Sequence, residues 1–169
     1  MFNDPLAECF IEPYGKLCSD AFAIHSGFYF DKEAFGSEGF ATYHSCRTHY
    51  VGEVILNSFN KMFEGDKYVV NLGAGLCTRT YWYKPDFKIT RWWNVDNHEV
   101  VKRKATILAD KTANFAKMCD TEEIGMDFSK ESTADLPAKT GMDFKNVKTL
   151  FILEGLVMYL NEEANVKLV

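Results

Sequence analysis

Up to Gly65 the apolar positions of this chain recur at helical spacing, whereas beyond it short unbroken apolar runs alternate with amphipathic stretches. Between Arg47 and Phe63, the residues Tyr50, Val51, Val54, Ile55, Phe59, Met62 and Phe63 fall on one helical stripe, and Gly65 stands where a C-terminal cap belongs. The later pattern predicts a strand over Tyr68 to Leu72, a helix after Thr78, a strand over Ile89 to Val95 and a helix across Glu99 to Ala109. A short strand near Ile124 to Asp127 and another over Thr149 to Leu153 follow. Strands and helices in alternation build a parallel sheet with helices on its faces, so the fold class is α/β. Thr149-Leu150-Phe151-Ile152-Leu153 is apolar without alternation, as expected of a parallel strand buried on both faces. The expected organisation is a helical cap over residues 1–65 and an α/β core over 66–169, together one structural domain.

The densest chemical signal is Val69-Val70-Asn71-Leu72-Gly73-Ala74-Gly75-Leu76-Cys77-Thr78-Arg79, a buried strand breaking into a glycine loop that opens a helix. Such loops hold nucleotide-like cofactors, because glycine turns the backbone through positive φ and lacks the Cβ that would keep a ligand away. Thr78 occupies the place of the third glycine in the dinucleotide pattern Gly-x-Gly-x-x-Gly, which weakens a nicotinamide or flavin reading. Asp96 ends the next strand, where an acidic residue about 20 positions on would hold ribose hydroxyls. Glu154 ends the last strand, beside Gly73 if that strand neighbours the first. A carboxylate there is costly to bury unless it is paired or hydrogen-bonded, so a bound cationic ligand or a helix N-terminus would account for it.

Composition narrows the field. With 169 residues, 47% hydrophobic and 25% charged, the chain can bury a real core. A net charge of −5 argues against a nucleic-acid or anionic-membrane surface. No apolar run reaches the roughly 18 residues of a transmembrane helix, and Met1-Phe2-Asn3-Asp4-Pro5 lacks the signature of a signal peptide, so a cytoplasmic protein is expected. Cys9, Cys18, Cys46, Cys77 and Cys119 form no Cys-x-x-Cys pair, and His25, His44, His49 and His98 show no metal-ligand spacing. Reduced, mostly buried thiols and no metal site are the expectation.

Several separated motifs together resemble the leucine carboxyl methyltransferase family of class I S-adenosylmethionine-dependent enzymes. Asn71-Leu72-Gly73-Ala74-Gly75-Leu76-Cys77-Thr78-Arg79 is similar to the family's glycine loop, Asn94-Val95-Asp96 to its Glu-Val-Asp, and Glu154-Gly155-Leu156-Val157-Met158-Tyr159-Leu160 to its Glu-Gly-Leu-Leu-Met-Tyr-Leu. The resemblance covers roughly Asp20 to the end of the chain. It implies a Rossmann-like sheet with an N-terminal helical extension and S-adenosylmethionine as cofactor, held at Gly73, Ala74 and Gly75. It further implies Arg47 as a fork for the methionyl carboxylate, Asp96 on the ribose, Asp127 accepting the adenine amino group with Phe128 packed on the ring, and Glu154 at the methionyl ammonium or facing substrate.

The activity implied is methyl transfer to a carboxylate or hydroxyl oxygen of a protein C-terminal leucine or of a small molecule. No base-and-orienter pair stands out, which favours a carboxylate, already ionised, over a hydroxyl. No catalytic residue is assigned. Two departures bear on affinity: Cys77 stands where the family usually has aspartate, and Asn94 where it usually has glutamate. Family members are longer, so the expectation is a fragment, a truncated product or a chain completed by another copy. In the strand order 3-2-1-4 it would leave Thr149 to Leu153 as an apolar edge open to self-association. The helix that Asn161 caps has no stop signal before Val169. The alternatives are a module that binds cofactor without transferring, favoured by those departures, and a nicotinamide-dependent enzyme, disfavoured by Thr78.

Overall fold

The computed structural model describes residues 6, 43, 46–81, 86–109 and 115–168. Met1 to Pro5, Cys9, Cys18, His25, His44, most of the expected helical cap and any helix continuing through 82–85 lie outside the described residues. The chain divides into two compact units, Met1–Phe59 and Asn60–Val169.

The striped segment is helical, but its first part, Tyr50–Ile55, is wound as a π-helix that passes into an α-helix, α1, over Leu56–Met62. Bonding to the fifth residue instead of the fourth shifts the phase of the side chains. Gly52, Leu56 and Phe59 are buried, while Tyr50, Val54 and Met62 of the expected stripe face solvent. Gly65 has φ 79° and turns the chain toward the sheet. Just beyond, the buried Lys67 donates from Nζ to the carbonyls of Asn60 at 2.7 Å and Phe63 at 2.5 Å, satisfying the open end of α1.

In the second unit four parallel strands form one sheet in the order β3-β2-β1-β4, with β1 over Lys67–Leu72, β2 over Arg91–Asp96, β3 over Asp120–Gly125 and β4 over Lys148–Leu153. The helices are α2 (His98–Leu108), α3 (Leu136–Thr140) and α4 (Glu162–Leu168). Asn161 Oδ1 accepts from Ala164 N at 2.8 Å, the cap its position predicts. Because all four strands run the same way, their carboxyl ends gather along one edge of the sheet.

Strand periodicity sends alternate residues to opposite faces. On one face Tyr68, Val70, Leu72, Trp93, Val95 and Ile124 pack with Met126, Phe128, Leu136, Leu156 and Leu168 in a single core cluster. Trp93 meets Tyr68 edge-on at 5.1 Å and Phe144 at 5.3 Å. The other face holds a buried polar network instead. Trp92 Nε1 donates to Asn94 Oδ1 at 2.8 Å, Asn71 Nδ2 to the same oxygen at 3.3 Å, and Asn94 Nδ2 to Glu123 Oε1 at 2.9 Å. Lys104, on α2 and 1% exposed, places Nζ 2.8 Å from that same Glu123 oxygen. A buried ammonium is tolerated only beside such a carboxylate.

Two expectations need correction. The third strand starts at Asp120, earlier than expected, because its polar Asp120-Thr121-Glu122-Glu123 pairs with Arg91 to Asn94 despite lacking an apolar run. The fourth strand is not buried on both faces: Ile152 is buried, but Phe151 is 41% and Leu153 38% exposed. Among the described strands β4 pairs only with β1.

Candidate functional site

The glycine loop is built by the ends of β1 and β2 together. Gly73 N and Ala74 N both donate to Val95 O, at 2.8 and 3.1 Å, which folds the loop over the end of β2. Gly73 has φ 67° and Gly75 φ 52°, conformations that side-chain-bearing residues rarely adopt. A Cβ on Gly73 would lie 2.8 Å from Leu156 Cβ, so its bareness also lets the segment after β4 close against the loop. Around Gly75 an added Cβ would meet nothing within 4 Å, leaving a clear space in front of the backbone.

Asp96 faces that space. Its Oδ2 accepts from Gly75 N at 2.6 Å and its Oδ1 from Asn97 N at 2.7 Å, while its carbonyl accepts from Met126 N at 2.8 Å. Each carboxylate oxygen keeps a second lone-pair direction for a hydroxyl. The structure therefore brings Gly73, Ala74, Gly75 and Asp96 into one contiguous surface, with the turn beginning at Met126 joined to it.

Glu154 lies at the end of β4 and is held by Arg79, whose Nη2 is 2.5 Å from Glu154 Oε2, with side chains 5% and 12% exposed respectively. An ion pair from the same protein thus accounts for the carboxylate, in place of the helix N-terminus or bound cation that the sequence suggested. Arg79 escaped the sequence reading, although the Thr-Arg closing the glycine loop was its signal. Arg79–Tyr81 forms a 3₁₀ turn closed by Tyr81 N to Thr78 O at 2.8 Å, so the described part of the expected helix is one tight turn with β-branched Thr78 before it and Thr80 within it.

Asp127 and Phe128 follow β3. Asp127 accepts from Ser129 N at 3.0 Å and Ser129 Oγ at 2.6 Å, and pairs with Lys130 Nζ at 2.7 Å. The bond from Lys130, then those from Ser129, hold its pKa at about 2, below the ordinary 3.8. A depressed pKa contributes stability that is complete above the ordinary value and lost as pH falls through about 2. Asp127 therefore stays charged throughout the neutral range. An NMR titration of its carboxyl should show a midpoint near 2, and a midpoint at the ordinary value would show that these contacts do not persist. Phe128 is buried within the core cluster.

Arg47 belongs to the first unit, where its guanidinium lies 5.7 Å from the Tyr43 ring centroid, four positions back along the chain. Other residues of the second unit were not legible beforehand. His98, opening α2, fills the space that Gly125 leaves bare, since a Cβ there would lie 2.2 Å from His98 Nδ1. Asn97 caps the same helix by accepting from Glu99 N at 2.9 Å. Among the described residues no group of three His, Cys, Asp or Glu is placed to hold a metal ion, and no helix is long and apolar enough to cross a membrane. A family model described as leucine carboxyl methyltransferase matches residues 1–169.

Proposed function

Since the chain belongs to the leucine carboxyl methyltransferase family, whose members are S-adenosylmethionine-dependent methyltransferases, we propose that it binds S-adenosylmethionine along the Gly73 to Gly75 loop and transfers the methyl group to an acceptor oxygen. The observation that carries the reading is the contact between Gly75 N and Asp96 Oδ2 at 2.6 Å. It sets the carboxylate at the rim of the glycine-bared space, where a nucleoside ribose with two vicinal hydroxyls fits both oxygens. Thr78, buried at 1% exposure, fills the place that a dinucleotide loop leaves to glycine, which supports adenosylmethionine over a nicotinamide cofactor.

In this reading Asp96 accepts the ribose hydroxyls and the loop backbone lies along the methionyl portion. Glu154, ion-paired with Arg79 at the end of β4, stands at the methionyl ammonium or faces substrate. Asp127 accepts from the adenine amino group, and Phe128 forms the apolar floor behind it. The cofactor supplies an electrophilic methyl carbon whose leaving group is a neutral thioether. The protein's share is chiefly positioning an oxygen in line with that carbon. A carboxylate acceptor, from a C-terminal leucine or a small acid, arrives ionised and asks nothing of a base, so it is preferred over a hydroxyl.

Calorimetry with S-adenosylhomocysteine and with NAD, followed by assay with S-methyl-labelled cofactor, tests this. Binding of the first and not the second is expected, and alkali-labile label in the product identifies a carboxyl ester. Binding without transfer to any carboxylate or hydroxyl acceptor would reduce the protein to a cofactor-holding module. Asp96→Ala is expected to weaken S-adenosylhomocysteine by about 1–3 kcal/mol, the scale for leaving polar groups without their charged acceptor. An unchanged dissociation constant would show that Asp96 only closes a turn.

A further inference from the structure

The turn that follows β3 is fastened from two sides. At its start Met126 N donates to Asp96 O at 2.8 Å, which ties it to the end of β2. At its back Asp127 N donates to Glu131 Oε2 at 2.7 Å, while Glu131 N and Lys130 N both donate to Asp127 O, at 2.8 and 2.9 Å. Asp127 and Glu131 thus grip each other through main chain and side chain at once. The other carboxylate oxygen of Glu131 lies 2.6 Å from Lys139 Nζ on α3, and that ammonium also donates to Gly125 O at 3.2 Å. Gly125 ends β3 and pairs with Asp96, so the contacts close a ring from the strand end to the turn and back. The far anchor of this ring is firm. Ser132 and Asp135 form a capping box directly after Glu131, and Leu136, opening α3, is 1% exposed in the core.

Of the contacts made by the Asp127 carboxylate, the ion pair comes from Lys130, a side chain 79% exposed, where solvent screens it. Glu131 and Lys139 are only 27% and 25% exposed, and a main-chain N–H on a carboxylate is a charge-assisted bond. The bond from Lys139, then that from Asp127 N, hold the pKa of Glu131 below its ordinary value, so the carboxylate stays charged across the neutral range. The lasting constraint on the turn is therefore Glu131. Given the reading of Asp127 as acceptor of the adenine amino group, on which this rests, we propose that Glu131 is a positioning residue for nucleobase recognition: it sets the main chain of the turn so that the Asp127 carboxylate stands where the amino group arrives. Glu131 touches no atom of the ligand in this arrangement. What it supplies is reach. Displacing Asp127 N by the length of one methylene would carry the carboxylate of the same residue off the line of its hydrogen bond, whose strength falls steeply with angle and distance. Asp96 is held separately, by Gly75 N and Asn97 N, so the loss falls on the base and not on the ribose.

Calorimetry on the chain and two variants, with two ligands, tests this. The ligands are S-adenosylhomocysteine and its analogue carrying hydrogen in place of the adenine 6-amino group. The parent should bind the first about tenfold more tightly than the second, the scale for a hydrogen bond to a charged acceptor. Glu131→Gln keeps a carbonyl oxygen at full reach and should keep most of that preference. Glu131→Asp keeps the charge on an arm one methylene shorter and should lose the preference, with affinity for the analogue unchanged. Preference kept by Glu131→Asp, or lost by Glu131→Gln, would take the effect away from reach and overturn the positioning role. Equal weakening of both ligands in Glu131→Asp would overturn it too, marking Glu131 as a residue of general stability. A parent that binds S-adenosylhomocysteine without distinguishing the analogue would remove the Asp127 contact and the role of Glu131 while leaving the cofactor reading intact. A parent that binds neither ligand would defeat both together.

Discussion

Replacing Gly73 with alanine is expected to lower the free energy of unfolding by roughly 2–5 kcal/mol. Two independent costs add. Holding a side-chain-bearing residue at φ 67° costs about 1–2 kcal/mol, and overpacking the contact with Leu156 about 1–3 kcal/mol more. The closest approach is to Leu156 Cβ, at 2.8 Å, with Cδ1 and Cγ at 3.0 and 3.2 Å. Leu156→Ala therefore leaves the worst overlap in place, while Leu156→Gly removes it. Combining Gly73→Ala with Leu156→Gly should cost less than the sum of the two single changes, since Leu156→Gly carries its own cavity penalty but erases the overlap. Gly75→Ala is the control: nothing lies within 4 Å of its Cβ, so only the conformational cost remains, while the space offered to a cofactor shrinks. Denaturant unfolding of these variants gives the values, and a Gly73→Ala midpoint equal to the parent's would refute the close packing of loop and β4 segment.

Breaking the Arg79–Glu154 pair from one side should be costlier still. With side chains 5% and 12% exposed, Glu154→Leu or Arg79→Leu removes one member of a buried ion pair, at about 3–5 kcal/mol each. The double variant Arg79→Leu with Glu154→Leu should be milder than either single one, because both charges of the pair leave together. That non-additivity distinguishes an ion pair from two separate packing residues, and strictly additive losses would contradict it. Cofactor titration of the double variant then reads the ligand role proposed for Glu154 apart from the fold.

The sheet order followed from the family resemblance, whereas the first two strands were legible because their signals are local. Val69-Val70 and Trp92-Trp93 are strand formers, and Gly73, Gly75 and Asp96 announce a turn and its acidic partner by residue type alone. What escaped the sequence depends on contacts between distant residues. Nothing in Asp120-Thr121-Glu122-Glu123 marks a strand, since its place in the sheet comes from pairing with Arg91 to Asn94 and from Lys104 on a helix. The π-helical winding around Gly52 changes the phase of a stripe whose spacing reads as an ordinary helix. Glu154 was recognisable as a carboxylate needing a partner, yet the partner stood 75 positions earlier, as the numbering of Arg79 and Glu154 shows. Only the fold joins them.

The polar network on the sheet's second face couples three positions to one another. Asn94, which departs from the family's usual glutamate, is not a site where negative charge has simply been lost. Its amide donates to Glu123 at 2.9 Å, and Glu123 in turn neutralises Lys104 at 2.8 Å. A glutamate placed at 94 would crowd two acids around one buried ammonium, and an alanine at 104 would leave the acid at 123 without its cation. Positions 94, 104 and 123 are therefore coupled, and a change at one is expected to be tolerated best together with a compensating change at another.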